Sequence, residues 1–361
     1  MSRFLSTSYQ ALRAYTPGEQ PTDRSYVKLN TNESPFPPSP AVIKAVSRGA
    51  VEELRLYPDP TCGALRGAIA QKYGVSPSQV FVSNGSDDIL NFSFMAFCAG
   101  EGQSVVFPDI SYGFYEVYAQ LHGASYRKIP LAKDFSICPE DYCGVGSSVV
   151  IANPNAPTGL ALSVEEIESI VASNPDHVVL IDEAYVDFGA ESALSLVDRY
   201  ENLLVVRTFS KSCSLAGARL GFAIGNEALI ADLEKIKYST NPYNINRISL
   251  LCGVAAMEEW PYYERNCRVI ERNRNDTAAA LRERGFTLTD SKANFLFAAS
   301  PDVGGEELYS GLKERGVLVR HFTGERIREY NRITVGTAEE MEAFLRAVDE
   351  ILTEKKKGDD K

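Results

Sequence analysis

From about residue 60 onward the apolar positions of the chain change period at regular intervals. Short runs rich in β-branched residues predict strands over 79–82, 104–107, 148–152, 178–181 and 203–206. Apolar positions spaced three and four apart predict helices over 65–73, 87–97, 112–121 and 164–172. Gly74 stops the first helix. Ser163, followed three residues on by Glu166, has the spacing of a capping box and starts the last. Strands this apolar, alternating with helices, imply an α/β fold whose mainly parallel sheet is covered on both faces.

After about residue 240 the pattern changes. A long helical stretch over 248–284 leads to apolar segments at 294–297, 317–319 and 333–335, which read as strands of a smaller α/β unit. The expected layout has four parts. A segment rich in Pro and Asn (1–37) packs on the small unit and crosses the cleft. A large domain (38–245) and a small C-terminal domain (246–354) follow, and a charged tail (355–361) frays.

Composition narrows this picture mainly by exclusion. A chain of 361 residues exceeds what one hydrophobic core usually sustains, in agreement with two units. The net charge of −11 repels nucleic-acid phosphate, and no basic, aromatic-rich stripe offsets it. No run approaches the ~18 apolar residues of a membrane span, and the N-terminus lacks a signal-peptide layout. A cytoplasmic protein is expected, with neither nucleic acid nor membrane as partner. Seven scattered cysteines contain no Cys-x-x-Cys, and none of His122, His177 and His321 is paired at metal-ligand spacing. Disulfides, a bound metal and Ser-His-Asp hydrolysis are therefore poorly supported.

The residues that could carry chemistry follow strand ends, where ligands collect in open α/β sheets. Lys211 comes just after the apolar run 203–206, in Arg207-Thr208-Phe209-Ser210-Lys211, and an amine so placed can act as a nucleophile. Ser210 and Arg219 offer a hydroxyl and a fork of donors to a phosphate. Asp182, in Ile181-Asp182-Glu183-Ala184-Tyr185, could pair with a protonated ring nitrogen, and Tyr185 with a ring hydroxyl. Gly85, Ser86 and Asp87 lead from a strand into a helix N-terminus, which suits an anion. Tyr112 could stack on an aromatic ring. Asn153 and Asn155 lie in the turn Asn153-Pro154-Asn155-Ala156-Pro157-Thr158-Gly159. Each signal alone is weak. Five of them at strand ends of one chain are jointly strong.

In their order along the chain these motifs resemble fold-type-I aminotransferases, and more narrowly histidinol-phosphate aminotransferases. Segments 29–35, 55–60, 242–246 and 332–336 are similar to that branch, and the resemblance runs from Tyr15 to about Thr337. It implies pyridoxal 5′-phosphate as cofactor, carried by Lys211, with Asp182 on the pyridine nitrogen and Tyr185 on the ring hydroxyl. Tyr112 would stack on the ring. Gly85, Ser86, Asp87, Ser210 and Arg219 would surround the phosphate. Tyr57 would reach the cofactor phosphate of a second subunit, which implies a homodimer. One position departs from the family: the Asn that usually precedes Pro-Thr-Gly is Ala156 here, so that ring contact is either lost or supplied by Asn153 or Asn155.

The resemblance also implies the reaction, amino transfer between histidinol phosphate and 2-oxoglutarate in histidine biosynthesis. Tyr15, Asn32, Arg320 and Arg332 are the candidates for the substrate phosphate, and Arg332 also for a carboxylate. An aromatic aminotransferase or a threonine-phosphate decarboxylase would share the same motifs. A ligand-sensing protein on this fold would need an appended DNA-binding unit, for which residues 1–37 leave no room.

Overall fold

A computed structural model of the chain describes residues 5, 6 and 9–359. Seven strands form one sheet in the spatial order Val80–Ser83, Gly221–Gly225, Leu203–Thr208, Val179–Asp182, Ser148–Ala152, Ser104–Pro108, Ser125–Ile129. The five strands from Leu203–Thr208 to Ser125–Ile129 run parallel to one another, while Gly221–Gly225 is antiparallel to both of its neighbours. Alternate side chains divide between two cores. Val149, Ile151, Val179, Ile181, Leu203 and Val205 pack on one face. Val150, Ala152, Leu180, Leu204 and Val206 pack on the other. That division is the direct result of strand residues that are apolar at every position.

Two strands of this sheet are not legible as apolar runs. Ser125–Ile129 is an edge strand with exposed polar residues, so it lacks the apolar signature. Gly221–Gly225 is short and begins and ends on glycine. It carries the chain back beside Leu203–Thr208 and leaves residues 209–220 as a loop at the carboxyl edge of the parallel strands.

The helical stretch expected over 248–284 is two helices, Arg247–Glu258 and Trp260–Glu283. They break at Glu259, one residue ahead of the Trp260-Pro261 start, where proline fits a first turn but not a helix interior. The first helix belongs to the large unit: Cys252, Ala255, Ala256 and Met257 share a core with Leu65 and Ile69. The changeover expected at 245/246 therefore lies later, within Trp260–Glu283. Trp260 and Tyr263 join the large core, and Cys267 and Ile270 the second. Helix Ala338–Asp359 continues through most of the tail expected to fray, and residues 360 and 361 lie outside those described.

The small unit has four antiparallel strands in the order Arg320–His321, Tyr330–Thr334, Phe295–Ala299, Thr287–Leu288. Val27–Lys28 pairs in parallel with Val317–Leu318, and Leu29 is buried in the small-unit core. The segment 30–34 then passes from the small unit to the loop that holds Lys211.

Candidate active site

The parallel strands place their last residues along one edge of the sheet. Asp182 ends Val179–Asp182, in register with Ala152 and Val206 on the flanking strands. Its buried carboxylate accepts hydrogen bonds from Tyr115 Oη at 2.8 Å and from the Ala184 backbone N–H at 3.2 Å. Burial, opposed in part by those two bonds, pushes the carboxyl up to about 6. Among the described residues no cation pairs with it. Lys211 Nζ donates to the Thr31 carbonyl at 3.2 Å and lies 5.8 Å from the centre of the Tyr185 ring. Lys211, Asp182 and Tyr185 line one cavity of about 180 Å³.

The opposite wall of that cavity is built for an anion. Helix Ser86–Ser93 begins there, so first-turn N–H groups without intrahelical partners lie at the cavity. Arg219 Nη2 pairs with Asp87 Oδ2 at 2.8 Å, and Asp87 Oδ1 accepts from Tyr112 Oη at 2.8 Å. Ser210 completes the wall. Two glycines permit these approaches. A Cβ at Gly85 (φ +86°) would sit 2.8 Å from Arg219 Nη2, and one at Gly221 only 2.4 Å from Ser86 N.

A second cavity of about 410 Å³ adjoins the first and shares Tyr112, Ala156, Tyr185 and Lys211 with it. Tyr15, Asn32, Arg320 and Arg332 line it. Arg320 and Arg332 stand opposite each other on adjacent strands, a like-charge placement that ordinarily costs stability. Among the described residues neither has a carboxylate partner. Arg332 Nη2 donates to the Asn30 carbonyl at 3.0 Å, and its Nε is buried without a partner. Arg320 donates only to the carbonyls of Pro17 at 3.3 Å and Thr16 at 3.2 Å. Burial lowers the pKa of Arg332 and raises that of Tyr15. Tyr15 stacks on Phe114 with ring centres 4.2 Å apart. Asn32 adopts φ +57° and donates from Nδ2 to Tyr185 Oη at 3.0 Å.

Two expectations need correction. Neither Asn153 nor Asn155 takes the place left by Ala156. Asn153 is tied at both ends of its amide to Leu162, by bonds of 2.7 and 3.2 Å. Asn155 accepts from Ser111 Oγ and donates to Ile110 O and Thr158 Oγ1. Both amides hold the turn together, whereas the Ala156 methyl side lines the cavities. Tyr57, expected at the cofactor of a second subunit, lies away from the site of its own chain. It is 78% exposed and stacks on Tyr243. Conversely, Tyr115 and Thr31 touch the key groups and were not singled out. Thr31 lies within the quoted segment 29–35. Tyr115 has no sequence signal, because only tertiary packing brings its hydroxyl to Asp182.

Residues 24–348 match the family described as aminotransferase class I and II. The chain belongs to that family. Among its relatives, a histidinol-phosphate aminotransferase of Brachyspira hyodysenteriae is 48% identical over 353 residues, 98% of this chain and 99% of its own. One from Marinomonas sp. is 50% identical over 351 residues, 96% of this chain and 99% of its own. The fold matches the crystal structure of the histidinol-phosphate aminotransferase of Sinorhizobium meliloti in complex with pyridoxal-5′-phosphate. That match has a TM-score of 0.87 at 22% identity, over 98% of this chain and 99% of that one.

The family's cofactor can be tested against the residues present. A buried carboxyl without a cation, at the same cavity as a helix N-terminus, a hydroxyl and an arginine fork, suits a ring cation carrying a phosphate. A lysine amine between the two completes the donor set that pyridoxal phosphate requires.

Proposed function

We propose that this chain transfers an amino group between histidinol phosphate and 2-oxoglutarate, using pyridoxal phosphate carried on Lys211. The observation that carries the reading is the pair of arginines without carboxylate partners, Arg320 and Arg332, in a cavity that opens onto the lysine. Such a cavity takes an anionic amine, and the full-length relatives that match this chain at 48–50% identity are named for a phosphorylated one.

Pyridoxal phosphate, when bound, supplies an aldehyde that captures amines and a ring that delocalises the electron pair left on the substrate carbon. The chain's own residues do the rest. Lys211 would hold the cofactor and, with its Nζ free, would carry the proton taken from the substrate carbon. Asp182 keeps the ring nitrogen protonated. Tyr185 Oη accepts from Asn32, so its own hydrogen is free to donate to the ring hydroxyl oxygen. Tyr112 would stack on the ring. The N–H groups of Ser86 and Asp87, with Ser210 and Arg219, would hold the phosphate, while the Gly85 N–H is already bonded to the Ser83 carbonyl at 2.8 Å. Arg332 and Arg320, with Tyr15, hold the substrate phosphate, and Arg332 the carboxylate of the second substrate.

The exposed Tyr57 and Tyr243 support a homodimer in which Tyr57 reaches the second subunit's cofactor. A cytoplasmic location fits the reading, and no helix is long and apolar enough to cross a membrane. The test adds amines singly to the protein saturated with cofactor and follows its visible absorbance. Histidinol phosphate is expected to shift the band at concentrations where phenylalanine does not. A stronger response to phenylalanine would overturn the substrate.

A further inference from the structure

Directly beneath the cavity lies a buried charged network that the chemistry above does not use. Arg207, 6% exposed, stands on Leu203–Thr208 beside the strand that ends in Asp182. Its Nε and Nη2 each reach Glu183 Oε2 at 2.9 Å. Its Nη1 reaches Asp187 Oδ1 at 3.2 Å and Tyr73 Oη at 2.9 Å. Glu183 is further fixed by Ser192 Oγ at 2.7 Å and the Ala193 backbone N–H at 2.6 Å. Asp187 Oδ2 accepts from Ser212 Oγ at 2.6 Å.

The two ends of this network are informative. Glu183 follows Asp182 in the chain, and Ser212 follows Lys211. The path Asp182-Glu183, Arg207, Asp187, Ser212-Lys211 is therefore continuous, with covalent neighbours at each end and charge-assisted hydrogen bonds between. We infer that Arg207 is a positioning residue: through Glu183 and Asp187 it fixes the distance between the ring-nitrogen acid and the lysine amine.

Two physical points favour this over a purely structural ion pair. A buried ion pair is often no more stabilising than apolar residues of the same volume, so its presence calls for a role in geometry. Phe209, Cys213 and Leu215 anchor the loop 209–220 in the large core and Ser214 Oγ donates to Ser34 Oγ, but that hydrogen bond does not run to the strand that ends in Asp182. Among the described residues the lysine amine hydrogen-bonds to the Thr31 carbonyl and lies over the Tyr185 ring, and Ser210 N is held by Thr208 Oγ1. The Ser212 to Asp187 bond is the tie that links the residue after Lys211 to the turn that follows Asp182. A misplacement of about 1 Å at a reacting group is enough to cost on the order of 10²-fold in rate.

The inference rests on the functional reading above, and the experiment separates the two. Arg207→Lys keeps the charge and loses the fork, and Asp187→Asn keeps an acceptor for Ser212 and loses the charge. Each holoprotein is assayed for kcat and KM, and its visible band is titrated with pH. Arg207→Lys is expected to lower kcat about tenfold or more with KM for the amine nearly unchanged, and Asp187→Asn to lower it about threefold. The pH midpoint of the lysine-bound cofactor band is expected to move in both. The double variant is expected to be no worse than Arg207→Lys alone, because both cuts break one path. If Arg207→Lys does not fold, Asp187→Asn and Ser212→Ala carry the test, each expected to lower kcat and move the band's midpoint. Folded variants with kcat within about twofold of the parent and an unmoved midpoint would overturn the inference, as would losses that multiply in the double variant. A parent protein that gives no band with pyridoxal phosphate, or turns over no amine, would instead sink the functional reading.

Discussion

The two adjoining cavities share Lys211, Tyr112 and Tyr185, yet their polar groups are satisfied in opposite ways. In the inner cavity the charged and phenolic groups have protein partners: Asp87 with Arg219 and Tyr112, Asp182 with Tyr115, Tyr185 with Asn32. In the outer cavity, among the described residues, Arg320 and Arg332 hydrogen-bond only to backbone carbonyls, lie over the rings of Phe322 and Phe295, and face each other with like charge across adjacent strands. The inner walls come from the strand ends and turns of one sheet. The outer walls come from the N-terminal segment, the turn at Ser111 and the small unit. A site with a permanent occupant can be finished in advance. A site whose occupant comes and goes must leave charge for that occupant to neutralise, and the outer cavity is of that kind.

The largest expected effect lies where the cavities meet. Lys211→Ala should lower kcat by at least about 10³-fold, since it removes both the covalent anchor and the proton carrier. Borohydride reduction of the parent holoprotein, followed by peptide mass analysis, should find the cofactor on Lys211. Label on another lysine would break the comparison at its centre.

How much of this could be read from the chain differs between the two regions for the same physical reason. The inner cavity is made of local motifs: an apolar run followed by Asp182, another followed by Ser210-Lys211, a Gly-Ser turn before a helix. Each is a strand end, so the sheet brings them together once the strands are recognised. Tyr115 is the exception, since its hydroxyl meets Asp182 across the packing of a helix on the sheet. The outer cavity depends on the antiparallel pairing of Arg320–His321, too short for any periodicity, with Tyr330–Thr334, of which the apolar segment 333–335 marks only the end. Arg320 and Arg332 were named through family resemblance, and their direct opposition emerged only from the register. The roles of Asn153 and Asn155 failed for a related reason. Whether an amide faces a cavity or closes its own turn is decided by tertiary contacts such as Asn155 to Ser111 and Ile110.

An outer-cavity substitution should sharpen the contrast by leaving the inner one intact. Arg332→Ala should lower kcat/KM about 10²-fold for the phosphorylated amine and for the dicarboxylate alike, because one fork serves both anions. Arg332→Lys should recover part of that loss, as a point charge without the fork. Cofactor affinity, measured by the visible band, should stay within about twofold of the parent. Arg219→Ala should do the reverse and weaken cofactor retention first. A variant at Arg332 that sheds the cofactor would show that the two cavities are one energetic unit.

The smallest expected effect concerns stability. Asp182 is held at about 6 in the folded chain against an ordinary 3.8, because burial disfavours its charge. A folded state that binds the proton more tightly than the unfolded one loses stability as pH rises between those values. The cost is absent below about pH 4, grows through the window, and is complete above about pH 6, at roughly 2–3 kcal/mol. In the cofactor-free protein Asp182→Asn should therefore match the parent near pH 4 and exceed its unfolding free energy by about that amount at pH 8. The difference between the two proteins cancels the titrating groups that do not interact with Asp182, and retains those that do, Asp87 and Glu183 among them. Saturation with pyridoxal phosphate should shrink the gap in favour of the parent, since a ring cation then faces the carboxylate and offsets its burial. Denaturant melts of both proteins, with and without cofactor, at pH 4 and pH 8 measure all four quantities. If the two cofactor-free proteins melt together at pH 8, the buried acid carries no penalty. The inner cavity would then already be complete without a cation, and the contrast with the arginines outside it would rest on hydrogen bonds alone.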